Sequence, residues 1–124
     1  FSEIYFTHYF IYMSTVKTIE AYKEEIIYAI NEIEKYTTGL SMPQFIRDTK
    51  TYNATMMCLA LIGETTSKFP QSVRDQSPNI PWGDIIGLRN RISHDYFGLD
   101  EEVIWKTIKE SLPEFKIEVE KLHD

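Results

Sequence analysis

The sequence predicts an all-α fold, an up-and-down bundle of four main helices plus one short one. Three observations lead there. Apolar residues recur at three- and four-residue spacings along most of the chain. No stretch shows the two-residue alternation of a strand. Residues suited to opening or closing helices fall between the apolar runs. With 124 residues the chain can build one domain around its own core.

The first helix is expected from about Tyr12 to Tyr36. Tyr12, Ile19, Tyr22, Ile26, Ala29, Ile33 and Tyr36 form one apolar stripe, with Glu20, Glu24, Glu25, Glu32 and Glu34 on the other faces. Such a stripe is bundle core. Thr37-Thr38-Gly39 ends it, glycine being the natural residue for a left-handed cap. Ser41 then reads as an N-cap with Pro43 in the first turn of a short helix that reaches Asp48. The next helix starts near Thr51 and runs to about Phe69 through Tyr52, Met56, Leu59, Ala60, Ile62 and Gly63. A glycine inside a helix costs about 1 kcal/mol relative to alanine. Close approach of another helix is the reason expected for Gly63, and Glu64 beside it is expected to partner an arginine.

Pro70 to Pro81 reads as a connecting loop. A helix opens at Pro81-Trp82 and runs into Leu88–Asp100. The last begins with Asp100 as N-cap and is kinked or restarted at Pro113 before Phe115, Ile117, Val119 and Leu122. Residues 14–124 read as the helical domain and 1–13 as an N-terminal extension. The apolar run Ile4–Met13 is too short to span a bilayer and lacks the basic start and cleavage site of a signal peptide. Met13-Ser14 is a candidate start of the domain.

Composition narrows function only a little. Cys58, the one cysteine, excludes an internal disulfide and a cysteine metal cluster; it reads as a small buried hydrophobe in a cytoplasmic protein. The net charge of −6 argues against a nonspecific nucleic-acid coat. The negative charge is concentrated at the two ends, however. Residues 38–100 hold six basic and six acidic side chains, which leaves room for a locally basic cleft.

Chemistry is concentrated in Arg89-Asn90-Arg91-Ile92-Ser93-His94-Asp95-Tyr96, the pattern R-x4-H-x-Y. On a helix turning about 100° per residue, Ile85, Leu88, Ile92 and Tyr96 share a face roughly 80° wide. His94 lies roughly 180° from Ile85, and Arg89 is about 140° from His94. The two cannot pair tightly through helix geometry alone. They can flank one phosphate if the helix loosens toward Gly98, or if a second subunit brings its own copy across a two-fold axis. An imidazole that titrates near neutrality can move the protons of RNA phosphodiester cleavage. Arg offers a positive fork for the charge growing on phosphorus, and Asn90 a further hydrogen bond. No metal or other cofactor is required, and no carboxylate and histidine cluster suited to holding a metal is evident. The plain alternatives are a surface ion pair between Arg91 and Asp95 at i, i+4, a histidine favourable at a helix C-terminus, and a tyrosine that simply packs.

Pro81-Trp82, Ile85, Gly87-Leu88-Arg89-Asn90 and His94-Asp95-Tyr96-Phe97-Gly98-Leu99-Asp100 resemble the HEPN superfamily, and more closely its HepT-like (DUF86) branch. Tyr36–Gly39, Phe45, Asp48, Ile62-Gly63-Glu64 and Leu112-Pro113 extend the likeness over residues 14–122. The resemblance implies a homodimer whose two motifs face a shared cleft. It implies a metal-independent endoribonuclease acting on RNA as the toxin of a toxin–antitoxin pair. Arg89 and His94 match the catalytic residues, and Asn90 the polar residue beside that Arg. The implied partner is an MntA-like minimal nucleotidyltransferase that silences the toxin by AMPylation of the motif tyrosine, here Tyr96. An AMPylated tyrosine needs a reachable hydroxyl, so regular helix is expected to be lost before Gly98. The alternative is a non-catalytic helical partner of such a nucleotidyltransferase, holding a nucleotide in the same groove.

Overall fold

The computed structural model describes residues 17–124. The proposed extension 1–13 and the expected helical turn from Tyr12 lie outside the described residues. Helix α1 spans Ile19–Thr37, α2 Met42–Arg47 and α3 Thr49–Thr66. A four-residue helix α4, Gln71–Arg74, follows. Helices α5, Trp82–Ile86, and α6, Leu88–His94, form one rod interrupted at Gly87. Helix α7, Glu101–Lys106, passes through a wide π-type turn, Thr107–Ser111, into α8, Leu112–Lys121. Among the described residues there is no strand. Four long rods plus the short α2 are the architecture that the sequence predicts.

Each boundary has a local cause. The Thr18 hydroxyl caps α1, and Gly39 beyond its end takes the expected positive φ of 80°. Ser41 and Gln44 close a capping box around α2, with Pro43 in its first turn. Asp48 accepts from the Thr51 amide to start α3. Asp100 accepts from the Glu102 and Val103 amides to start α7. Pro113 has no N–H to continue an α-helical ladder. The chain widens instead, and the Leu112 amide reaches the Thr107 carbonyl five residues back.

Three expectations need correction. Val73 is buried, so the stretch 70–81 contains the short helix α4 rather than being loop throughout. Tyr36 is exposed at the end of α1; the buried face runs through Ile26, Ala29, Ile30, Ile33 and Thr37. Arg91 does not pair with Asp95, because its guanidinium turns back to the Asp84 carbonyl.

Helix α3 is the axis of the bundle, touching α1, α2, α5 and α6. Phe45, Met56, Leu59 and Ile62 join the α1 stripe and Phe115, Val119 and Leu122 in one core. Lys23 is buried on α1 and donates to the carbonyls of Glu120 and Leu122 at 3.0 and 2.6 Å. These carbonyls sit at the end of α8, where no helical amide can reach them. The α5–α6 rod differs from the rest: none of its residues is buried. It rests on α3 by one side and leaves the other sides open.

Candidate active site

Two contacts hold the motif rod. Trp82 anchors its start: the indole N–H is shared between the Arg74 and Ser77 carbonyls at 3.1 and 3.0 Å. Its ring stands edge-on to Phe69 and Phe115, with centroids 6.3 and 5.9 Å away. Gly63 sets the crossing point with α3. A β-carbon there would lie 2.9 Å from the Ile85 carbonyl oxygen, 3.1 Å from the Arg89 nitrogen and 3.3 Å from the Leu88 β-carbon. This is the close helix approach expected for Gly63, and it places the Arg89 backbone directly against α3.

The rod separates two grooves. The first, of about 600 Å³, lies between α3 and α6, with Arg89, Ser93 and Tyr96 on one wall and Asn53, Met57 and Glu64 on the other. Here Arg89 Nε meets Glu64 Oε2 at 3.4 Å, so Glu64 is the arginine partner that the sequence suggests. The second groove, of about 770 Å³, lies on the far side between α6 and α7. It takes Asn90, Arg91 and His94, with Asp84, Asp95 and Asp100 nearby. The His94 side chain is exposed and, among the described residues, makes no hydrogen bond or ion pair. The structure therefore brings Asn90 to His94 and Tyr96 to Arg89, and it keeps Arg89 and His94 apart. That separation is the one given by their angle on the helix.

Helix α6 ends at His94, because Asp95 leaves helical geometry at φ −147°, ψ 57°. Tyr96–Gly98 then form a 3-10 turn, so regular helix is lost before Gly98 as expected. The Tyr96 ring is half-buried and edge-on to Tyr52 at 5.9 Å. Its hydroxyl donates to the Asn53 side-chain oxygen at the rim of the first groove. Burial pushes the Tyr96 phenol above its ordinary pKa. Phe97, next in sequence, is fully exposed.

Asn53 is the site residue that the sequence reading misses. A signal for it exists: Asn53 and Glu64 are eleven residues apart on α3, about 20° around the helix, so they share a face three turns apart. Among the described residues no group of three His, Cys, Asp or Glu side chains is placed to hold a metal ion. No described helix is long and apolar enough to cross a membrane.

An all-α bundle that carries R-x4-H-x-Y on an uncovered rod is a HEPN-type domain. The family described as Ribonuclease HepT-like matches residues 26–122, and the chain belongs to that family. It is 39% identical over 101 residues to "Probable ribonuclease HepT" of Thermococcus cleftensis, covering 82% of this chain and 92% of that protein. It is 33% identical over 106 residues to "Putative RNase MJ1216" of Methanocaldococcus jannaschii, covering 86% and 88%. No solved structure is significantly similar to the chain. The family is one of ribonucleases, the enzyme class that the motif chemistry suggests.

Proposed function

We propose that the chain is a metal-independent endoribonuclease, active as a homodimer in the cytoplasm and the toxin of a toxin–antitoxin pair. The observation that carries this reading is the position of the motif: Arg89 and His94 open into different grooves of a rod with no buried residue. A site that uses both needs a second copy, and a two-fold axis beside α6 would set Arg89 of one protomer against His94 of the other. His94 takes the proton of the ribose 2′-hydroxyl, or returns one to the departing 5′-oxygen. Arg89 stabilises the charge on the phosphoryl oxygens, and Asn90 adds a hydrogen bond beside His94.

The antitoxin in this reading is a minimal nucleotidyltransferase. Tyr96 Oη attacks the α-phosphorus of ATP, pyrophosphate leaves and the phenolic proton is lost, giving an AMP ester beside Arg89. The exposed Phe97 offers that partner an aromatic contact next to the target.

Co-expression of an Arg89→Ala chain with a His94→Ala chain tests the composite site. Each homodimer should lose about 10²–10⁴ of its RNA-cleaving rate. The mixed dimer should recover up to half of wild-type activity, since one of its two sites has both residues intact. A mixed dimer as inactive as its parents would refute the shared site. Intact mass with and without the neighbouring gene tests the modification: AMP units on Tyr96 should coincide with lost cleavage. Unmodified wild-type protein that leaves all RNA intact, even as a stable dimer, would favour the non-catalytic partner instead.

A further inference from the structure

We propose that Glu64 is the positioning residue for Arg89, fixing the guanidinium so that its terminal amines face the scissile phosphate. The inference rests on the reading of Arg89 as a catalytic residue. Gly63 and Glu64, adjacent on α3, hold the two ends of that arginine. At Gly63 the α3 backbone comes so near that the space a β-carbon would fill lies 3.1 Å from the Arg89 nitrogen. The root of the side chain is thereby seated on a rigid helix crossing. At the other end Glu64 Oε2 stands 3.4 Å from Nε, the inner nitrogen of the fork. Among the described residues the two terminal amines make no hydrogen bond and remain available for a bidentate phosphate contact.

The side chains of the pair are 58% and 45% exposed, so the contact contributes little to stability. Its consequence is geometric. An unpaired arginine on an open groove samples many rotamers, and each phosphate contact must then order it anew. Glu64 is itself anchored on α3, the axis of the bundle, so the charge it presents does not move with the rod.

The test is steady-state cleavage of a short single-stranded RNA by Glu64→Gln and Glu64→Ala, in wild-type and in Arg89→Ala backgrounds. Glu64→Ala should lower kcat about ten- to a hundredfold with a smaller change in KM, at unchanged Tm and dimer content. Glu64→Gln, which keeps an acceptor oxygen, should lie between Ala and wild type. In the Arg89→Ala background Glu64→Ala should cause no further loss, because Glu64 acts through Arg89. The proposal is overturned if Glu64→Ala keeps or raises kcat while Arg89→Ala is inactive. It is equally overturned if the two losses multiply, which would give Glu64 a role of its own. Should Arg89→Ala cleave like wild type, the catalytic reading fails and the inference falls with it.

Discussion

Gly63→Ala tests the helix crossing that positions the motif. Two effects oppose each other. Alanine in the middle of α3 should gain about 1 kcal/mol of helix propensity. The new methyl would sit 2.9 Å from the Ile85 carbonyl oxygen and 3.1 Å from the Arg89 nitrogen, both backbone atoms. Neither can rotate aside, so the α5–α6 rod must move outward by a few tenths of an ångström along its length. Overpacking of this kind costs about 1–3 kcal/mol. The expected net change is therefore about 0–2 kcal/mol of destabilisation, or a fall in Tm of up to roughly 10 °C for a domain of this size. Activity should fall further than stability does. The displaced rod carries Arg89 and His94, and a misplacement approaching 1 Å can cost about a hundredfold. Urea unfolding followed by tryptophan fluorescence, with cleavage assays on the same preparations, reads both quantities. A Gly63→Ala protein about 1 kcal/mol more stable than wild type would show that propensity alone governs the position and that the crossing is loose.

Three further outcomes follow from the same packing. Lys23→Met keeps the stem but removes the ammonium from the Glu120 and Leu122 carbonyls; a loss of about 1–3 kcal/mol in chemical denaturation is expected. Trp82→Phe keeps an aromatic ring between Phe69 and Phe115 but removes the indole donor from the Arg74 and Ser77 carbonyls, which still accept the Ser77 and Ile80 amides; it should cost about 0.5–1.5 kcal/mol and speed amide exchange at the start of α5. Burial raises the Tyr96 and Tyr52 phenols in the folded state, and Tyr96 and Glu101 add to the effect on Tyr52. Because the folded protein holds those protons more tightly, their contribution is complete below the ordinary tyrosine pKa near 10 and is lost as pH rises toward the raised folded values. Tyr96→Phe should flatten that alkaline decline, as read by Tm between pH 9 and 11; an unchanged slope would refute the assignment.

Much of the architecture is legible in the chain because helix starts and stops are local. Ser41 with Gln44, Asp48, Asp100, Gly39 and Pro113 each act within a turn of where they stand in sequence. The errors arise where distant residues decide. Tyr36 fits the helical stripe but falls on the last turn of α1, where the core face has already rotated past it. Val73 draws a short helix from a stretch rich in turn residues because its side chain is buried. Arg91 has Asp95 one turn away yet bonds the Asp84 carbonyl, a backbone acceptor that no spacing of side chains announces.

The site divides along the same line. That Arg89 and His94 point apart follows from five residues of helix, and the structure places them in separate grooves. The sequence suggests that Glu64 meets an arginine but not which one, and it does not point to Asn53, because both belong to a helix more than twenty residues earlier. The link between the two helices is Gly63. A residue with no side chain lets the rod come close enough for Glu64 to reach Arg89 and for Asn53 to receive the Tyr96 hydroxyl. The remaining faces of α6 need satisfy no packing within the protomer, since none of its residues is buried. Their polar side chains are therefore not dictated by the core, and in the proposed function they are selected by what the rod meets outside its own bundle. This is the condition under which a partner protomer or an RNA phosphate, rather than the core, gives R-x4-H its spacing.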